Sequence, residues 1–377
     1  MASAQEPTTG PRLTQRRRAA GEPAHPADPA YLDLDALERQ ARELLPPDVV
    51  DHFAGGADRE TTLGEATAAW RAWRLRPRVL TDVGPVALAT TLLGTDVATP
   101  VGIAPWAHQA MAHPEGERAT ARGAAATGAL VTVSTSSTTS LEDVAAVRPT
   151  GPRWFQLYRL HSPAHTDDLA RRAGRAGYTA LVLTADLPVL GRRLRDLRND
   201  FALPAGLPLP HHPPADGTGP APAGTPRWTT ADIARFADLS GLPVVVKGVL
   251  RGDDAARCVA AGASAVWVST HGGRQADPVV ASAAALPEVV EAVGTEAEVY
   301  ADGGIRSGSD VLTALALGAR AVFVGRPAIW GLATGGADGV ARVIGGLTGE
   351  LAHTMALCGL DDVRAVGRDA VARAAWR

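Results

Sequence analysis

The sequence predicts an α/β protein closed into a (β/α)8 barrel, and three observations carry that prediction. Eight short runs rich in Val, Leu and Ile alternate with longer Ala-rich runs over about 240 residues, the pattern of a parallel sheet covered by helices. Several of the Ala-rich runs close on a glycine, at Gly128, Gly177, Gly262 and Gly318, as helix C-termini prefer. No G-x-G-x-x-G follows any apolar run, which counts against the competing doubly wound open sheet.

Taken in order, the expected strands are PVGIAP (100–105), ALVTVS (129–134), RWFQLY (153–158), ALVLTAD (180–186), PVVVKG (243–248), AVWVST (265–270), EVYADGG (298–304) and AVFVGR (321–326). Helices are expected between them, at 115–127, 164–176, 253–261 and 309–317 among others. Ahead of the barrel, residues 32–97 read as two or three helices and a bottom-capping hairpin near 79–93. A single domain over 31–377 is expected, with 31–99 as the N-terminal helices and cap. One connection is far longer than the rest. Residues 194–228 include FALPAGLPLPHHPPADGTGPAPAGTPRW, crowded with Pro and Gly, and leave the strand that ends at Asp186, so a lid is expected there.

Composition narrows the function classes. The chain has 377 residues, 46% hydrophobic and 20% charged, with a formal net charge of −3, which offers no electrostatic footprint for nucleic acid. Two cysteines cannot form a disulfide framework, and no Cys/His spacing reads as a metal site. No run reaches the roughly 18 apolar residues of a membrane span. Residues 1–30, rich in Pro, Ala and charge, read as a disordered tail. Their triple arginine is not followed by the apolar core of an export signal, so a cytoplasmic location is expected.

In such a barrel, chemistry gathers where the strands end. Those ends carry Pro105 and Ala107, Ser134, Gln156 and Tyr158, Thr184 and Asp186, Lys247, Ser269 and His271 with Arg274, Asp302 with Arg306, and Gly325 with Arg326. Scattered capping explains two or three such groups but not a ring of them. A base of ordinary pKa near 6.5, a guanidinium and a Gly-Gly turn lie within six residues of one strand end, in STHGGRQ (269–275).

STHGGRQ, FQLY, TADLPVLGRR, VVVKG, ADGGIRSGSDVLTALALGARAVFVGRPAIWGLA and APWAHQAMAHPEGE together resemble the FMN-dependent 2-hydroxy-acid oxidases and dehydrogenases. That family includes glycolate, lactate, mandelate and 4-hydroxymandelate oxidases, and the resemblance spans residues 32–358. It implies His271 as general base, Asp186 as the carboxylate that stabilises its imidazolium, and Arg274 as a bidentate clamp on the substrate carboxylate. It adds Tyr158 and Arg193 at the substrate and Lys247 beside the flavin edge that gains charge on reduction. Pro105, Trp106, Ala107, Ser134, Gln156, Thr184 and Ser269 would meet the flavin ring. Asp302 would meet its ribityl chain, and Gly303, Gly304, Arg306, Gly325 and Arg326 its phosphate.

The chain departs from the family pattern at several positions. DHFAGGA places His52 where a tyrosine is usual, and His52 is the expected replacement donor to the carboxylate. STHG carries Thr270 for asparagine, and APWA brings Trp106 to the flavin. STSSTTS leaves Ser136 and Ser137 where a serine-tryptophan pair is usual. The small residues point to a substrate larger than glycolate. The implied reaction is oxidation of an (S)-2-hydroxy acid to its 2-oxo acid, with O2 or another acceptor, in a homotetramer. A quinone- or protein-linked dehydrogenase, a monooxygenase or isomerase on the same barrel, and a flavin-binding protein that has lost catalysis remain alternatives at this level.

Overall fold

A computed structural model describes residues 32–212 and 227–374. Its strands are β1 (Trp73–Leu75), β2 (Thr90–Leu92), β3 (Thr95–Val97), β4 (Val101–Ile103), β5 (Val131–Ser134), β6 (Arg153–Leu157), β7 (Ala180–Thr184), β8 (Val244–Val249), β9 (Ala265–Val268), β10 (Glu298–Asp302), β11 (Ala321–Val324) and β12 (Val371–Arg373). Strands β4 to β11 close into an eight-stranded barrel in sequence order, β11 pairing back onto β4, and every barrel pair is parallel. All eight expected strands are present. Parallel strands buried on both faces read as continuous apolar runs, which is why they were legible.

The barrel interior is packed by large rings set against small residues. Trp154, Trp267, Tyr300 and Phe323 are fully buried, with the Trp267 and Phe323 ring centroids 4.0 Å apart. Gly102 leaves the room Phe323 needs: a Cβ there would stand 2.5 Å from the Phe323 ring. This alternation fills the interior, so the barrel is a core and not a pore.

The bottom is closed by a hairpin, displaced from its expected position. It is β2–β3, at 90–97 rather than 79–93, turning through Leu93 (φ 48°) and Gly94 (φ 76°). Two successive residues with positive φ make the tight turn whose twist suits a hairpin. Leu92 and Val97 join the interior cluster. Glu298, at the start of β10, accepts from the Leu93 N–H at 3.2 Å.

Three helices precede the barrel, Leu34–Leu44, Pro47–Ala54 and Thr61–Arg71. The chain then returns to them at its end. β12 pairs antiparallel with β1, Trp73 opposite Arg373, a closure the sequence reading did not anticipate.

The long connection is not structureless where it is described. Leu194–Arg198 is a helix, and beyond it Phe201 stacks on His52 and His212 Nε2 lies 3.1 Å from Ser136 Oγ. His211 is fully buried, its Nδ1 3.1 Å from the Thr135 carbonyl oxygen and its Nε2 accepting from the Leu141 N–H at 2.9 Å. Residues 213–226 and the expected tail, 1–30, lie outside the described residues. Among the described residues no helix is long and apolar enough to cross a membrane.

Candidate active site

The polar strand ends converge on one cavity of about 530 Å³ at the C-terminal mouth of the barrel. Of the residues expected at the site, His52, Pro105, Trp106, Ala107, Ser134, Tyr158, Thr184, Arg193, Lys247, His271, Arg274, Asp302, Gly303, Gly304, Arg306, Gly325 and Arg326 all line it. Asp186, Gln156 and Ser269 stand directly behind that lining and hold it.

The base is built by an abrupt turn. After β9 the backbone enters the left-handed region at His271 (φ 54°), Gly272 (φ 66°) and Gly273 (φ 72°), a conformation that glycine tolerates and that strains His271. The imidazole Nδ1 lies 3.0 Å from Asp186 Oδ1, so the ionised carboxylate fixes the ring proton on Nδ1. Nε2 therefore carries the lone pair, and it faces the Tyr158 hydroxyl at 3.4 Å. Burial pushes the His271 pKa below its usual value; Asp186 opposes this and Lys247 adds to it. Burial works to raise Asp186. The His271 charge, its hydrogen bond and Lys247 outweigh that, so its pKa falls below the usual carboxylate range. Burial pushes the Tyr158 hydroxyl up to about 12, which keeps it a donor.

Beside the base lies a cluster of buried cations. Arg274 donates from Nη1 to the carbonyls of His52 (2.7 Å) and Gly55 (2.8 Å), which aims its guanidinium. Burial, then Arg193 and Arg326, press its pKa well below the usual arginine value. Arg193 is lowered by burial, and its Nε is buried with no hydrogen-bond partner among the described residues. Guanidiniums gathered this way are costly until an anion joins them. Arg326 lines the same cavity, and its Nε, Nη1 and Nη2 donate to the carbonyls of Phe53, Gly272 and Gly55, so it staples the N-terminal segment to the turn after His271. Burial, then Arg306, bring its pKa to about 9.

His52 Nδ1 is 3.0 Å from Asp196 Oδ2 and its ring stacks on Phe201 at 4.3 Å. Burial lowers its pKa, with the Asp196 hydrogen bond opposing. A neutral ring whose proton is held by Asp196 presents a lone pair at Nε2, so His52 can donate to a carboxylate only when protonated.

The opposite wall fits a mononucleotide flavin. Lys247 donates to Ser269 Oγ at 2.9 Å and its Nζ is 3.5 Å from Asp302 Oδ2, while Ser269 Oγ donates to Asp302 Oδ1 at 2.7 Å. A dry ammonium there suits a ring edge that becomes negative on reduction. Gln156 is oriented by accepting from Ser134 Oγ (3.1 Å) and donating to Thr184 Oγ1 (2.9 Å), which sets two hydroxyls along the wall. Gly303 and Gly304, with φ 88° and 80°, begin the turn that leads to Arg306, whose pKa burial lowers. Exposed backbone and a buried guanidinium beyond strands seven and eight of a barrel suit a phosphate.

Several residues at the cavity escaped the sequence reading. His108 lines it, three residues beyond Pro105, a position readable from the strand end. Asp196 and Phe201 line it from the long connection, whose histidine doublet at 211 and 212 was the available signal that this segment is anchored.

Comparison with known proteins agrees with this geometry. The family model described as FMN-dependent dehydrogenase matches residues 41–373. The chain is 47% identical to an L-lactate oxidase of Nostoc sp., over 88% of this chain and 96% of that protein. It is 43% identical to a 4-hydroxymandelate oxidase of Amycolatopsis orientalis, over 90% and 97%. Among solved structures, mandelate oxidase with (S)-2-phenylpropionate superposes with a TM-score of 0.83 at 43% identity, covering 90% of this chain and 97% of that one. A cavity that suits a flavin phosphate at one end and a small anion at the other is thus matched by sequence along nearly the whole barrel, and the chain belongs to the FMN-dependent dehydrogenase family as an FMN-dependent oxidoreductase of 2-hydroxy acids.

Proposed function

We propose that this chain oxidises an (S)-2-hydroxy acid larger than glycolate, using His271 as base and Arg274 as carboxylate clamp. The observation that carries the reading is the His271–Asp186 pair, whose Nε2 lone pair opens onto the same cavity as Arg274 and Arg193. The substrate carboxylate sits against Arg274 and Arg193, with the Tyr158 hydroxyl donating to the substrate. That placement brings the carbinol O–H to His271 Nε2, which takes its proton while Asp186 stabilises the resulting imidazolium. FMN, which Lys247, Ser134, Thr184 and Arg306 would hold, would supply the acceptor for the hydride that leaves the carbinol carbon, with O2 as terminal acceptor giving H2O2. Lys247 holds a positive charge at the cofactor wall, and Gln156 keeps Ser134 and Thr184 aimed at it. His52 supports the carboxylate as a donor in its protonated form.

The reading extends to one FMN-binding domain over 31–377, a lid within 194–228, and a cytoplasmic homotetramer. Two free cysteines, Cys258 and Cys358, suit a reducing compartment, and the tetramer rests on family resemblance. Ala107 favours O2 over a quinone or protein acceptor, again by resemblance. The test is anaerobic mixing of the yellow holoenzyme with glycolate, lactate, mandelate and 4-hydroxymandelate. Stereospecific bleaching of the flavin band, lost in His271→Asn, is expected; H2O2 on readmitting air identifies O2 as acceptor. Bound flavin that none of these acids bleaches would overturn the reading.

A further inference from the structure

One cavity residue takes no part in this chemistry and yet is left in a costly state. His108 is 8% exposed, lines the cavity, and has no hydrogen-bond partner at Nδ1 or Nε2 among the described residues. A buried imidazole with both nitrogens unmade is unfavourable. Its backbone adds strain, with φ at 59° in the left-handed region, and its N–H donates to the Ser136 carbonyl at 3.0 Å, which holds it there. Strain and an unmade donor–acceptor pair at one cavity-facing side chain together point to a ligand.

The surroundings say what kind. Burial, then His52, His212, Arg193 and Arg274, hold the His108 pKa down to about 3, so the ring is neutral near pH 7 and offers one N–H and one lone pair. Its neighbours on this side are Ser136, whose Oγ is 3.1 Å from His212 Nε2, and the His52 ring at 6.2 Å, with Phe201 and Leu203 also lining the cavity. An ammonium would be repelled by Arg193 and Arg274. Arg193 and Arg274 are engaged by the substrate's own carboxylate, and a neutral imidazole offers a second carboxylate no charge. A hydroxyl both donates and accepts, and suits either nitrogen.

The geometry points to His108 as a specificity residue that hydrogen-bonds a hydroxyl on the substrate's side chain, so that the preferred substrate is a 2-hydroxy acid bearing a second hydroxyl. This rests on the proposed oxidation of 2-hydroxy acids and names the substrate class of the same site. The hydroxyl can be phenolic or aliphatic, and matched substrates separate the two.

The experiment is anaerobic flavin reduction of the holoenzyme by pairs of (S)-acids that differ by one hydroxyl. Mandelate against 4-hydroxymandelate tests the phenolic source; lactate against glycerate, and 2-hydroxybutyrate against 2,4-dihydroxybutyrate, test the aliphatic one. In one arm the hydroxylated member is expected to be favoured in kred/Kd by about tenfold or more, the worth of a buried neutral hydrogen bond. His108→Leu is expected to bring that ratio within about twofold, and His108→Gln to restore part of it. Because a left-handed backbone disfavours leucine, His108→Gly serves as the second deletion. The inference is overturned if no pair shows a preference in the wild type, or if the preference survives in both deletions. If neither member of any pair bleaches the flavin, the oxidation reading itself falls and takes this inference with it, a result distinct from bleaching without preference.

Discussion

Asp186 Oδ1 lies 3.0 Å from His271 Nδ1, and the carboxylate reaches that position by passing over a residue with no side chain. A Cβ at Gly248 would stand 2.5 Å from Asp186 Cγ, and Gly248 holds φ at 102°, where side chains are disfavoured. The end of β8 is thus shaped so that the end of β7 can orient the base presented by β9.

Removing the Asp186 charge tests that relationship. Asp186→Asn is expected to slow flavin reduction by roughly 10²–10⁴-fold, because the imidazolium loses its stabilising partner and the ring its tautomer. The pH profile gives the sign. His271 acts when neutral, and burial places its pKa below 6.5, so kcat/KM for the wild type should hold until the pH falls below 6.5. Asp186 opposes that lowering, so the acid limb should move to still lower pH in the variant.

Arg274→Lys checks the clamp. One ammonium cannot hold the His52 and Gly55 carbonyls and also grip a carboxylate side by side. KM should rise about 100-fold with a smaller change in kcat. Carbonyls left unpaired should also cost about 1–3 kcal/mol of stability, visible in thermal denaturation.

His52 should matter in a pH-dependent way. With Asp196 holding Nδ1, it donates to an anion only when protonated, and its lowered pKa puts that below pH 6.5. Titrating an unreactive 2-oxo acid into the holoenzyme, with the flavin spectrum as readout, should give similar Kd values for wild type and His52→Phe at pH 7.5. As the pH is lowered below 6.5 the variant should fall progressively behind the wild type in affinity. Equal affinity across the whole titration would remove His52 from carboxylate binding.

His211 links stability to pH. Burial depresses its folded pKa to about 4, so between 6.5 and that value the unfolded chain binds a proton that the folded chain refuses. Its contribution is fully present above pH 6.5 and is lost as the pH falls toward 4, about 3 kcal/mol over the window. A melting temperature followed from pH 7 to 4.5 should drop less steeply in His211→Asn than in the wild type.

The sequence by itself determined the barrel and the identity of most groups around its mouth. Each strand is a local apolar run, each helix end a local glycine, and the polar residue that follows a run is carried to the C-terminal rim by topology alone. His271, Lys247 and Tyr158 were legible for that reason. Only the tertiary structure decided which rim groups face the cavity and which stand behind it, because that depends on how eight strands twist and close together. Gln156 and Ser269 brace other side chains, and Arg326 spends its nitrogens on carbonyls of a segment about 270 residues away in sequence. The pairing of Trp73 with Arg373, the Asp196 partner that sets the His52 proton, and the unmade nitrogens of His108 are likewise long-range facts. A hydrogen-bond partner chosen across the fold leaves no periodic trace in the chain, and that is why these features appear only once the barrel is closed.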